Sequence, residues 1–164
     1  MEKLDSAMRS PGASARLIVC PPERLGEMFR LRAAVWLGEG ADPKSFPGGE
    51  WRNERDASRL HWIVLDEDRV VATASLGIYA RLVDVEEGEA YVHAGLSSPG
   101  PVAEPARVTV AADRRGRGFV QALLDAQDAA AVEAGALLAV RQASPSMRPL
   151  LEQRGWLAPC CTPS

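Results

Sequence analysis

Val108-Thr109-Val110-Ala111-Ala112-Asp113-Arg114-Arg115-Gly116-Arg117-Gly118-Phe119-Val120 carries a strand straight into a helix through a turn with two glycines. Val108 and Val110 fall on one face of a short β-branched strand over residues 107–111. Asp113 to Gly118 break it, and a helix is predicted from Phe119 to Ala134. Val120, Leu123, Leu124 and Ala131 mark its core side, Gln121, Asp125 and Asp128 its wet side, and Gly135 the stop. The first N–H groups of such a helix have no acceptor within it, and Gly116 and Gly118 let a ligand approach the backbone closely. The helix dipole adds about 0.3–1 kcal/mol for a charge held there, and Arg114, Arg115 and Arg117 add positive field. A diphosphate suits this shape and charge. An ordinary strand-turn-helix connection with solvated arginines has the same pattern, so the Gly-x-Gly turn alone does not choose between them.

Downstream, residues 136–140 are predicted as a strand, Pro145 to Arg154 as a short helix and Gly155-Trp156-Leu157 as the start of a last extended piece. Upstream, a strand over Leu17 to Cys20 stops at Pro21-Pro22, where a helix can begin. Leu25, Met28, Phe29, Val35 and Trp36 recur at helical spacing until Gly38 and Gly40 end the helix. Ala41 to Trp51 is rich in Pro and Gly and reads as a lid or binding loop anchored by Phe46 and Trp51. A short charged helix is predicted between Arg52 and Arg59, then a hairpin of His61 to Leu65 and Arg69 to Tyr79. Strict alternation puts Val70, Ala72, Ala74, Leu76 and Ile78 on one face, with Thr73, Ser75 and Tyr79 looking toward a cleft. Between Arg81 and Gly100 lie the acidic residues Asp84, Glu86, Glu87 and Glu89, and a strand is predicted at Tyr91 to Ala94. Residues 1–15 read as a flexible tail and 16–164 as one domain of α/β layout with an antiparallel first half.

The chain has 164 residues and a net charge of −3, which gives no support to a nucleic-acid partner. Cys20, Cys160 and Cys161 lack the spacing of a disulfide framework or a zinc site. No segment approaches the roughly 20 apolar residues that span a bilayer, and the first residues are unlike a signal peptide. A cytoplasmic protein without membrane contact is the expectation.

The central turn and its flanks resemble the GNAT acyltransferase superfamily. Its signature is Arg or Gln, two residues, Gly, one residue, then Gly or Ala, between the fourth strand and the third helix. Arg115, Gly118 and Val120 stand at those positions, and the order of elements agrees from about Leu17 to Leu157. The resemblance implies a GNAT-type α/β fold, with a central, mostly antiparallel mixed sheet splayed at the cofactor site and helices on both faces. It implies acetyl-CoA or another acyl-CoA as co-substrate, with no metal. The pyrophosphate would sit on the amides of Arg115, Gly116, Arg117, Gly118, Phe119 and Val120, and the pantetheine along Val108 to Val110. Ser144, where many members have Asn, joins that set. The departures are Val120 in place of a small residue, Ala112 where Pro is frequent, and Leu151 where many members have a Tyr before the Gly-aromatic pair, here Gly155-Trp156. Leu151 reads as packing, and a thiolate leaves readily without the missing phenol.

The harder step is removing a proton from an ammonium acceptor. Glu104, six residues before Val110, matches the Glu of some protein-acetylating members. Pro105 and Val102-Ala103 would desolvate it and raise its pKa; a solvated loop residue is the other reading. His93 is the rival base, because imidazole titrates near neutrality. Tyr79 and Tyr91 read as packing residues. The implied reaction is direct transfer of an acyl group to a small-molecule or protein amine. Arg32, Val35, Trp36, Glu39 and Asp56 give a second likeness, to the acyl-homoserine-lactone and N-acyl amino acid synthases, which implies acyl carrier protein as donor. A non-catalytic acyl-CoA-binding module is the third reading. Trp36, Phe46, Trp51 and Trp62 either line a pocket or anchor the long loop. The acidic run from Asp84 to Glu89 either attracts a cationic acceptor or is a solvated hairpin. Few residues follow Trp156, so a second copy completing the sheet edge, a homodimer, is a further expectation.

Overall fold

The computed structural model describes residues 15–158. The strands are β1 (Arg16–Val19), β2 (Leu60–Asp66), β3 (Arg69–Tyr79), β4 (Val102–Val110) and β5 (Leu138–Ala139). The helices are α1 (Leu25–Gly38), α2 (Gly88–His93), α3 (Phe119–Glu133) and α4 (Arg148–Gln153). The sheet runs β1-β2-β3-β4-β5, antiparallel except for the parallel β4–β5 pair. Alternation along β2 sends Trp62 and Val64 to the core under α3 and Ile63 and Leu65 to Met28 and Phe29 of α1. Helices therefore cover both faces. No described helix is long and apolar enough to cross a membrane.

Several elements differ from expectation. The strict alternation of β3 is broken by a bulge: Val64 pairs with Ala72 but Leu65 with Val70. Val71 joins Ala72 in the α3-side core, Val70 moves to the α1 side, and Ile78 is exposed. Thr73 and Ser75 do not look into a cleft. Both are fully buried, and their hydroxyls donate to the carbonyls of Trp62 (2.8 Å) and Ala106 (3.3 Å). Residues 91–93 end α2 rather than forming a strand. Val85 and Tyr91 close over one side of the sheet with Leu82 and Val102, and both edges of β3 are already taken by β2 and β4. β5 is two residues, not five, and Gly155 to Leu157 form no strand; the Trp156 N–H instead closes α4 by donating to the Leu151 carbonyl at 3.0 Å. The charged segment before β2 is a 3-10 turn over Glu54–Ser58. The tail of residues 1–15 lies outside the described residues except Ala15, which is buried in the α3-side core, and Cys160 and Cys161 also lie outside them.

β4 begins at Val102, well before the predicted Arg107. The Ala103 carbonyl accepts from the Val140 N–H on the β5 side, so two residues on, the missing N–H of Pro105 faces that same side, where pairing has ended. The proline therefore sits in the strand without breaking a ladder bond.

Beneath α1 lies a buried polar network. Arg32 is 0% exposed, and its Nη1 donates to Asp56 Oδ1 at 2.9 Å while Nη2 meets His61 Nδ1 at 3.2 Å. Arginine only donates, so His61 Nδ1 accepts and its Nε2–H donates to the Asp56 carbonyl at 2.9 Å. The second carboxylate oxygen of Asp56 accepts from the Asn53 N–H at 2.8 Å, which caps the 3-10 turn. Arg32 and Asp56 are thus a structural pair that ties α1 to the segment before β2.

Candidate active site

β4 and β5 pair only at Val102–Leu138 and Ala103–Ala139. From Glu104 onward the outer edge of β4 has no strand partner among the described residues, so the sheet is splayed. β4 also carries a bulge: Thr73 pairs with Thr109 and Ser75 with Ala106, and Arg107 takes a left-handed φ of 61°. The Ala111 N–H donates to the Val71 carbonyl at 2.8 Å. Strand alternation then turns Thr109 toward β3 and the peptide groups of Val108 and Val110 toward the open edge. A groove of about 420 Å³ occupies the splay, with residues 105–109 on one wall and 141–144 on the other.

At the end of this strand comes the glycine turn. Gly116 and Gly118 have φ of 77° and 79°, a region where a β-carbon costs roughly 1–2 kcal/mol. The N–H groups of Gly116 to Gln121 donate to no protein acceptor among the described residues, and the helical ladder begins with Ala122 N–H on the Gly118 carbonyl at 3.2 Å. A β-carbon on Gly118 would meet nothing within 4 Å, so the space before the turn is open. Val120 packs half-buried against the α3-side core, as Phe119 does more deeply. The arginines are less available than their sequence suggests. Arg114 clamps the turn to Asp66 (2.9 Å) and Asp113 (2.8 Å). Arg115 reaches Glu39 at 3.3 Å and Arg117 reaches Asp66 at 3.7 Å. The Arg115–Glu39 pair is exposed on both sides and therefore weak, so an anion can displace it.

Glu104 lines the groove and is only 3% exposed. It is no loop residue. Its Oε1 accepts from Arg59 Nη2 at 2.8 Å, and the same nitrogen reaches Glu86 at 3.2 Å. Glu86 accepts in turn from Arg107 at 3.2 Å, and the Arg107 guanidinium lies 4.5 Å from the Trp51 ring centroid. Burial pushes the Glu104 carboxyl above its ordinary value against the pull of Arg59. Burial acts on Glu86 as well, but Arg107 and Arg59 outweigh it and hold that carboxyl low. Trp36 and Trp51 line the groove edge to face at 5.7 Å, and buried Phe46 backs Trp51 at 6.1 Å. Trp62 is a core residue.

Ser144 stands on the second groove wall, exposed, with its hydroxyl 2.9 Å from that of Ser146. His93 is the exposed last residue of α2 and is not among the groove-lining residues. Leu151 is buried and lines a separate cavity of about 330 Å³ with Arg141 and Trp156. Sequence reasoning missed Arg59, Arg107 and Arg141. The first two meet their carboxylates across 45 and 21 residues, and no local pattern announces such pairs.

The family model for the acetyltransferase (GNAT) family matches residues 25–156. The chain belongs to the GNAT acetyltransferase family. Among solved structures, a GCN5-related N-acetyltransferase from Ralstonia eutropha superposes with a TM-score of 0.68 at 20% identity, covering 92% of this chain and 97% of that one. A predicted acetyltransferase from Clostridium acetobutylicum, solved with acetyl-CoA, gives 0.66 at 14% identity over 92% and 94%. The aminoglycoside N-acetyltransferase AAC(6')-Iy, solved with CoA, gives 0.57 at 19% identity over 90% and 89%. No curated protein matches the chain. These structures share the mixed, open sheet flanked by helices.

Proposed function

We propose that this chain moves an acyl group, acetyl in the simplest case, from coenzyme A to a primary amine by direct transfer. The observation that carries this reading is the open edge of β4 running without interruption into a turn of unbonded N–H groups. That cradle fits a pyrophosphate, and the amides of residues 115–120 would hold it. The peptide groups of Val108 and Val110 are turned to lie along the pantetheine, with Ser144 on the facing wall. The relatives solved with acetyl-CoA and CoA support the same donor.

The bound thioester supplies an electrophilic carbonyl carbon and a good leaving thiolate. The Val110 N–H, facing the open edge, polarises the carbonyl oxygen. Glu104 takes the proton from the acceptor's ammonium, since burial gives its carboxylate more basicity than a solvated one. The C–N bond forms as the C–S bond breaks, and the departing thiolate takes up the second proton that the new amide nitrogen sheds, leaving as free CoA. Leu151 does no acid-base work, and His93 does not line the groove. The donor reading stays with coenzyme A, because Arg32 and Asp56, which suggested a carrier-protein donor, are locked in a buried pair.

Gly118→Leu tests the cradle. The side chain projects into open space rather than into the protein, so the fold survives with a modest loss from the left-handed φ. Acetyl-CoA affinity by calorimetry should fall about tenfold to a hundredfold, the worth of a charge-assisted hydrogen bond or two. Arg115→Ala should lose less, because its exposed guanidinium adds little to what the amides supply. A folded Gly118→Leu protein with the parental Kd would place the cofactor elsewhere.

A further inference from the structure

Arg141 is the one groove-lining charge that no side chain answers among the described residues. Glu104 is paired with Arg59, and Glu86 with Arg59 and Arg107. Arg141 stacks over the Trp156 ring at 5.4 Å, and its Nε and Nη1 are shielded from solvent with no hydrogen-bond partner among the described residues. Burial lowers its pKa, and the field of Asp128 recovers only part of that. It stands two residues after the end of β5 and lines both the groove and the smaller cavity beside it, leaving Nη2 as its accessible nitrogen.

Counted with Arg59, the groove holds three guanidiniums against two carboxylates, and Asp128, which acts on Arg141 only through its field, is itself bonded to Arg154. A half-desolvated cation without a counter-ion is unfavourable, and a ligand anion would compensate it. Trp36 and Trp51, set edge to face, offer aromatic surface for the body of such a ligand. Of the acidic run 84–89 only Glu86 lines the groove, and like Glu104 it is already paired with arginine, so the site offers little to a polyamine or another polycation.

We propose that the amine acceptor carries an anionic group, a carboxylate or a phosphate ester, and that Arg141 binds it. The inference rests on the transferase reading above and names its substrate class.

The test is calorimetry on the CoA-loaded protein with matched probes. L-Amino acids such as phenylalanine and leucine are each compared with the amine that lacks the carboxylate, phenethylamine and 3-methylbutylamine. Phosphoethanolamine against ethanolamine forms the phosphate arm. At least one anionic probe should bind about tenfold to a hundredfold more tightly than its neutral-tailed counterpart. Arg141→Met should erase that preference while leaving the acetyl-CoA Kd unchanged, and Arg141→Lys should keep part of it. If no anionic probe is preferred in the parent, or the preference survives in Arg141→Met, the proposal fails. It also fails if Arg141→Met weakens acetyl-CoA instead, since Arg141 would then serve the donor. Anion preference without CoA release in the presence of any amine would sink the transferase reading and the acceptor with it, leaving Arg141 an anion-binding residue alone.

Discussion

Glu104→Gln should lower kcat by about 10²–10⁴-fold, the usual worth of a positioned general base, while acetyl-CoA affinity stays near the parental value. Glutamine keeps the shape and leaves Arg59 paired to Glu86, so the fold should persist. The parental rate should rise with pH through a single ionisation above the ordinary carboxylate value of 4.5, because the basic form is the working one and burial has raised its pKa. In the variant that limb should be gone. His93→Gln is the matched control and should leave both rate and pH profile unchanged, since His93 is exposed and does not line the groove. Near-parental turnover in Glu104→Gln with a loss in His93→Gln would reverse the two roles.

Asp56→Ala should destabilise the protein by about 3–5 kcal/mol, because it strands the fully buried Arg32 without a counter-ion. For a chain of this size that is a fall in Tm of roughly 6–20 °C. The same network makes stability depend on pH. Burial holds the His61 pKa below its ordinary 6.5, so the unfolded chain takes up a proton before the folded one does. That stability is fully present above about pH 6.5 and is lost as pH falls toward the folded-state pKa. His61→Gln should flatten the dependence, measured as urea midpoints between pH 5 and 8. A midpoint in Asp56→Ala equal to the parent's would show that Arg32 finds water or another partner.

The parts of this molecule legible in the sequence are those fixed by neighbours along the chain. The turn before α3 needs glycine at two left-handed positions, and a helix start exposes its N–H groups whatever surrounds it. Glu104 could be found because Val102, Ala103 and Pro105 already foretell its desolvation. The start of β4 was misplaced because proline ordinarily ends a strand, and only the splay makes it harmless at 105. α2 was misread as a strand for want of any sign that β3 had no free edge. Arg59, Arg107 and Arg141 were invisible as site residues, since what defines each is the distant group it meets or fails to meet. The two lines of alternation along β3 could not reveal the bulge at Val71, which rephases the strand by one residue.

The central claim is acyl transfer from coenzyme A to an amine within the β4–β5 splay. The most direct measurement follows free CoA release with acetyl-CoA and an amine panel, alongside mass spectrometry of the amines. The account predicts CoA and acylated amine in equal amounts, no release without an acceptor, and loss of both in Glu104→Gln. Tight acetyl-CoA binding with no CoA release across the panel would contradict it and leave a binding module in place of an enzyme.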